Sequence, residues 1–365
     1  MSGEGLRARL DELAQRAISG RLAAGMTARI EREGDLVFEN SWGFAVDAAG
    51  RREPMSNATK FDIASLTKIF TTTAILRLVS HGAAKLDTAL CDIDSMRRLA
   101  AGHPLVEKAF ESVTIRNLLT HSSGLHYWYP FYASPSDDFQ TVLEKVLERF
   151  PRGGGTVYSD INYMLLGKLV EDAYGASLDI AMRDLVCGPL GLSDSGYKPS
   201  AGPFAATEFG NRIERKMVEE LGLDFAGWRP EDLALEGEAD DGNCHYYFGG
   251  TAGHAGVFST ARDLCALGRV YLDLSFREGF IAGELAEEAG RDHGGNRGLG
   301  FQLGGLYPRG GFGHTGFTGT WLYLNRESGL AMTLLANRLH VREPVVINDL
   351  RREFADIALD ILDPP

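Results

Sequence analysis

Apolar positions recur at helical spacing at the start of the chain (Leu6, Leu10, Leu13, Ala14, Ala17, Ile18), which predicts an amphipathic first helix. The period then changes to two. Met26, Ala28 and Ile30 alternate with polar residues, as do Leu36 and Phe38 beyond Glu33-Gly34-Asp35, a pattern that predicts a β-hairpin. A strongly apolar helix is expected from about Ser65 to His81, closed by Gly82. Further helices are predicted near Thr114–Thr120, Gln140–Arg149, Asn162–Ala173, Leu178–Val186 and Ala261–Leu272, separated by Gly- and Pro-rich loops at Pro199–Gly210, Gly249–Gly256 and Gly290–Gly300. Period two returns at Thr320, Leu322 and Leu324. A turn at Arg326-Glu327-Ser328-Gly329, a strand over Leu330–Asn337 and a helix over Val345–Leu362 follow. Strands near both ends of the chain around a helical middle predict an α+β fold. In it, residues 1–80 and 285–365 build one antiparallel sheet flanked by helices, and 81–284 form an inserted, mainly helical domain.

Composition narrows the function classes. Of 365 residues 44% are hydrophobic, ample for a core, and the net charge of −13 repels phosphate backbones and anionic lipid. With no basic patch, neither nucleic acid nor membrane is an expected partner. No apolar run is long enough to span a bilayer, and the charged N-terminus lacks the features of a signal peptide, so a cytoplasmic location is expected. The four cysteines, Cys91, Cys187, Cys244 and Cys265, lie too far apart in sequence for metal-ligand spacing. Asp240, Asp241, Asn243 and His245 could hold a cation, but a glycine-bounded loop explains them more simply; neither metal nor cofactor is expected. Glycine, 44 residues or about 12% against a usual value near 7%, implies many tight turns and close backbone approaches.

Several motifs fail on context. Gly311–Gly316 fits GxGxxG, but a strand follows where a dinucleotide site needs a helix. Neither a Walker A lysine nor GxSxG nor HExxH occurs. Ser-x-x-Lys occurs twice. Ser195–Lys198 lies between Gly191 and Pro199, where no helix aligns the pair. Ser65-Leu66-Thr67-Lys68 opens the strong helix, so residues i and i+3 share a face, and Ser65 there has a free backbone N–H at the positive end of the helix dipole. By itself the serine also fits a helix cap.

Two further elements accompany it: Tyr158-Ser159-Asp160 before the next helix, and His314-Thr315-Gly316 on a candidate strand. In this order the three resemble the SxxK, YxN and KTG motifs of the serine β-lactamase and penicillin-binding-protein superfamily. The chain is most similar to the class C β-lactamase-related group, which includes DD-peptidases and family VIII-type esterases. Phe61–Lys68, Thr114–Leu125, Tyr158–Gly167, Gly253–Leu264, Gly313–Thr320 and Leu335–Arg338 carry the likeness, over roughly residues 25–340. The resemblance implies a serine hydrolase with Ser65 as nucleophile and Lys68 and Tyr158 sharing proton transfer. It also implies an oxyanion hole from the N–H groups of Ser65 and Phe317, with Asp160, His314, Thr315 and Gly316 on the substrate.

Two departures modify that expectation. Asp160 replaces the usual asparagine and favours the ammonium form of Lys68, so charged Lys68 is expected to stabilise a Tyr158 phenolate as the base. His314 replaces the usual lysine and is mostly neutral above about pH 6.5, which removes a permanent cation for a substrate carboxylate and favours esters. Carboxylic esters or related small acyl compounds are therefore the expected substrates. Amide substrates of β-lactamases, DD-peptidases or D-amino-acid peptidases, and a catalytically silent binder, are the alternatives. Trp128 and Tyr129, in the aromatic loop after His121, are expected at an acyl pocket; Tyr246, Tyr247 and Phe248 fit such a pocket or plain packing. His254 is expected to be a structural turn residue.

Overall fold

The first hairpin folds as β1 (Gly25–Arg32) and β2 (Asp35–Ala48), antiparallel, with Ala28 opposite Asn40. Its two-residue turn, Glu33-Gly34, has φ of +53° and +87°, the sense that matches the twist of the flanking strands. β3 (Arg51–Pro54) folds back on β2. Three short strands come next in the chain: β4 (Phe61–Asp62), β5 (Gly196–Tyr197) and β6 (Val257–Ser259). They form a separate sheet in the order β4-β6-β5. The last three, β7 (Phe312–Thr315), β8 (Thr320–Asn325) and β9 (Leu330–Ala336), join the first three in one sheet of order β3-β2-β1-β9-β8-β7. β1 and β9 pair antiparallel, Ala28 opposite Leu334, so both ends of the chain meet in the middle of the sheet. The computed structural model describes residues 3–48, 50–273 and 279–364.

Both faces of this sheet are covered. On one, the Gly3–Ser19 helix brings Leu6, Leu10, Leu13 and Ala17, and the Asn348–Leu362 helix brings Leu350, Phe354 and Ala358, onto Met26, Ile30, Trp321, Tyr323 and Met332. On the other, Leu322, Leu324, Ala331 and Leu335 share a core with the helices Thr67–Ser80 and Ala261–Leu272. Every residue of β8 and β9 is buried as a result. Period two in β8 thus distinguishes two covered faces, not an inside from an outside. The Ala261–Leu272 helix, although it falls within the stretch expected to be the inserted domain, packs against β1, β8 and β9.

Most predicted helices occur within a few residues of their expected ends. Thr114 and Asn117 cap Ile115–Leu119 reciprocally, Asp138 accepts from the Thr141 N–H at the start of Phe139–Arg149, and Thr260 caps Ala261–Leu272. Leu178–Met182 continues into a π-turn over Arg183–Cys187. The last helix starts at Asn348, three residues after the expected Val345. Among the described residues no helix is long and apolar enough to cross a membrane.

Candidate active site

Ser65 stands in a single 3-10 turn, Ala64–Leu66, one step before the Thr67–Ser80 helix. The expected first helical turn is thus tighter than an α-helix. Ala64 has φ +45°, an uncommon conformation for a residue with a Cβ. Its N–H is tied to Asp62 Oδ1 at 2.8 Å. The other Asp62 oxygen accepts the Asp240 N–H at 2.7 Å. Burial and the neighbouring Asp240 and Asp241 push the Asp62 carboxyl up to about 7. β4 hydrogen-bonds β6, and the Ile63 N–H reaches Val257 O at 3.1 Å; this small sheet brings the Gly249–Gly256 loop beside the helix carrying Lys68.

Lys68 is fully buried. Its ammonium donates to Ser65 Oγ at 3.0 Å and to the His254 carbonyl at 3.0 Å, and forms an ion pair with Asp160 Oδ1 at 2.7 Å. Burial acts against its charge, but Asp160 and Tyr158 outweigh that and raise its pKa, so Lys68 is an ammonium ion at neutral pH. Tyr158, half-buried after the Gly153–Gly155 run, donates its hydroxyl to Ser65 Oγ at 2.8 Å. Its ring lies against the His121 ring, centroids 4.5 Å apart, and the guanidinium of Arg297 stands 5.2 Å from its centre. The tyrosine pKa is raised: burial and Asp160 push it up, and Lys68 pulls it down by less. The expected stabilisation by Lys68 exists but is outweighed, and the resting form is the phenol.

His121, buried and at φ +57°, accepts the Ser159 N–H on Nδ1 at 3.0 Å, which fixes the backbone beside Tyr158. His254 does more than shape a turn. Its carbonyl takes Lys68, and its ring donates from Nε2 to Asp241 Oδ1 at 2.9 Å.

A cavity of about 400 Å³ opens beside Ser65. Tyr158, Asp160, Thr315, Gly316, Phe317 and Trp128 line it, as expected. Two expected substrate residues do not. His314 is 1% exposed, lies 6.0 Å from the Tyr158 ring and is kept neutral by burial and by Lys68 and Arg297. Its Nδ1–H donates to Thr315 O at 2.8 Å, and Nε2 has no hydrogen-bond partner among the described residues. Tyr129 points into the core against Phe131, while its carbonyl holds Asn243. Tyr246, Tyr247 and Phe248 are also absent from the lining: Tyr246 bonds Asn211 and Arg229, Tyr247 bonds the Asp137 carbonyl, and Phe248 packs near Phe139.

Neither Ser65 nor Phe317 donates its backbone N–H to another described residue. Phe317 follows Gly316, whose N–H bonds Thr320 O at 2.7 Å in the β7–β8 turn. A Cβ on Gly316 would lie 2.0 Å from Thr320 Oγ1 and 2.5 Å from Ile63 O, so only glycine lets this strand end approach the Ser65 turn. The arrangement brings together the Ser65 hydroxyl, the Tyr158 phenol, the Lys68 ammonium and two backbone N–H groups without a described acceptor.

Among known families, the beta-lactamase family model matches residues 11–356. The chain belongs to the beta-lactamase family. Members of this family are serine hydrolases, and the fold agrees: a class C beta lactamase from Rhodobacter sphaeroides superposes with a TM-score of 0.70 at 18% identity, over 98% of this chain and 99% of that one. An N-acetylmuramyl-L-alanine amidase of Bacillus subtilis is 27% identical, covering 93% of this chain and 82% of its own. Esterase EstB of Burkholderia gladioli is 35% identical over 53% of this chain and 52% of its own. Within the family, then, relatives named for ester and for amide substrates both occur.

Arg297 lines the cavity from the loop Gly294–Gly298, and its Nη1 is buried without a hydrogen-bond partner among the described residues. The sequence gives no signal for it beyond a basic residue between glycines. Glu208, Glu214, Met217, Gln302, Arg338, Val346 and Arg351 also line the cavity without any motif to mark them.

Proposed function

We propose that the protein hydrolyses carboxylic esters or related small acyl compounds through an acyl-enzyme on Ser65. One observation carries this reading: Ser65 Oγ is held between Lys68 Nζ at 3.0 Å and Tyr158 Oη at 2.8 Å, at the edge of the cavity. Lys68, an ammonium ion, cannot accept a proton. Tyr158 therefore takes the role of base in its minor, phenolate form, which Lys68 favours. The Ser65 oxygen attacks the acyl carbon and its proton passes to Tyr158. The N–H groups of Ser65 and Phe317 receive the oxyanion, each worth roughly 3–4 kcal/mol in the transition state. Collapse breaks the bond to the alkoxide, which takes the proton back from Tyr158. Water then hydrolyses the acyl-enzyme, with Tyr158 again moving the proton.

Two things support esters: neutral His314, set back from the cavity, and an apolar contribution to its wall from Trp128, Met217, Phe317 and Val346. A second reading, an amide bearing a carboxylate, is favoured by the unpaired Nη1 of Arg297 and by the amidase relative. The four free cysteines are in keeping with a reducing compartment such as the cytoplasm. The test is turnover of p-nitrophenyl butyrate and of a chromogenic cephalosporin by the wild type and by Ser65→Ala. Ester turnover abolished by the substitution is expected. Rapid cephalosporin turnover without esterase activity transfers the assignment to amides, and inactivity on both defeats the hydrolase reading.

A further inference from the structure

One part of the cavity wall is acidic, formed by Glu208, Glu214, Asp240 and Asp241, and Asp62 stands behind it. Two of these carboxylates are engaged. Glu214 accepts the Tyr132 hydroxyl at 2.9 Å and the Gly242 N–H at 2.7 Å, while Asp241 takes His254 at 2.9 Å and the Cys244 N–H at 2.7 Å. The other two are not balanced. Glu208 accepts only a long bond, 3.3 Å, from the Ile213 N–H. Asp240 is 4% exposed, and its Oδ1 is buried with no hydrogen-bond partner among the described residues. Neither forms an ion pair there.

Two neighbouring cations are committed elsewhere. Arg229 spends its guanidinium on Asn211 Oδ1 and on the carbonyls of Ala239 and Asp240, and Arg338 on those of Phe317 and Val345. A buried carboxylate oxygen without a donor is costly, and Asp240 lines the cavity, which points to a donor that arrives with the ligand. Burial first, and then Asp240, lift Glu208 to about 8 against the opposing charges of Arg212 and Arg229.

We propose that Asp240 and Glu208 form a subsite for an ammonium group, so that the acyl substrate bound beside Ser65 carries a protonated amine. This deepens the hydrolase reading and rests on it only for the reaction, not for the binding. An organic cation fits better than a metal ion, since among the described residues no group of three or more Asp, Glu, His or Cys side chains is placed to hold one. A compact ammonium with three donors suits the open oxygens of Asp240 and Glu208.

Binding is tested apart from catalysis, on Ser65→Ala protein, by calorimetric titration with n-hexylammonium and with 1-hexanol, which share a chain and differ in charge. The amine is expected to bind at least about tenfold more tightly, as for a charged hydrogen-bonded contact, and the preference to fall to about twofold or less on adding Asp240→Asn. Glu208→Gln, which keeps the shape of the wall, should reduce the preference too and serves if Asp240→Asn does not fold. Equal binding of amine and alcohol overturns the proposal, as does a preference that survives both substitutions or displacement of the amine by calcium. An ammonium preference in a wild-type protein inactive on esters and cephalosporins would defeat the hydrolase reading and leave the subsite standing. Ester turnover with no preference would do the reverse.

Discussion

Lys68 hydrogen-bonds Ser65 Oγ and the His254 carbonyl and pairs with Asp160, whose charge helps to keep it a cation. In the proposed mechanism the proton passes to Tyr158, whose pKa lies above the ordinary tyrosine value. Only the ionised fraction acts as base, so kcat/KM for an ester should climb with pH through the neutral and alkaline range. Asp160 is one of the groups raising that pKa, so Asp160→Asn should move the rising limb to lower pH, and Tyr158→Phe should remove the limb while lowering kcat/KM by about 10²-fold or more. A pH–rate series on p-nitrophenyl butyrate decides it; a limb unmoved by Asp160→Asn would refute the assignment. Ser65 and Lys68 were legible as a pair, because i and i+3 on a helix is a local pattern, and Tyr158 through the family resemblance. Arg297 and His121 were not, since their surroundings come from neighbours distant in the chain, and Asp240 stood out only within a polar cluster that a loop also explained.

At the scale of elements, the site depends on a close crossing. The Asp160–Tyr174 helix and the Gly249–Gly256 loop meet at Gly167 and Gly253, and a Cβ on Gly253 would fall 2.2 Å from Tyr163 O and 2.9 Å from Gly167 Cα. The Gly253 carbonyl holds Thr71 Oγ1 at 2.7 Å, and the next carbonyl holds Lys68. Gly253→Ala should therefore destabilise the fold by about 1–3 kcal/mol and lower ester turnover through Lys68. Urea denaturation and the ester assay check both effects; wild-type stability in the variant would contradict the crossing. Capped helices were legible because a cap is a local hydrogen bond, as at Thr114 and Thr260. The sheet of β4, β5 and β6 was not. Its strands are two or three residues long, and the partner of Phe61 is Ser259, so no periodicity could report it.

Across the whole molecule, the buried carboxyls set a pH dependence of stability. Asp62 and Glu208 have pKa values raised to about 7 and about 8, so the folded state holds their protons where the unfolded chain, near 3.8 and 4.5, has released them. Their contribution is present at low pH and lost as pH rises through the folded values. Unfolding free energy should fall from about pH 4 to about pH 8, and Glu208→Gln should flatten the decline. Denaturant midpoints at several pH values test this, and a rising stability over that interval would disprove it.

By itself the sequence determined most of the long helices and the strands of a sheet assembled from both ends of the chain, through spacing and hydrophobic period. Its resemblance to a known family singled out Ser65, Lys68 and Tyr158 as the candidate reactive set. Tertiary structure alone decided what surrounds that set. His314 is buried behind Tyr158, Arg297 reaches the cavity from a glycine-flanked loop, and Asp240 is left without a donor. Burial and the charges gathered from distant segments govern protonation, and neither is a property of local sequence.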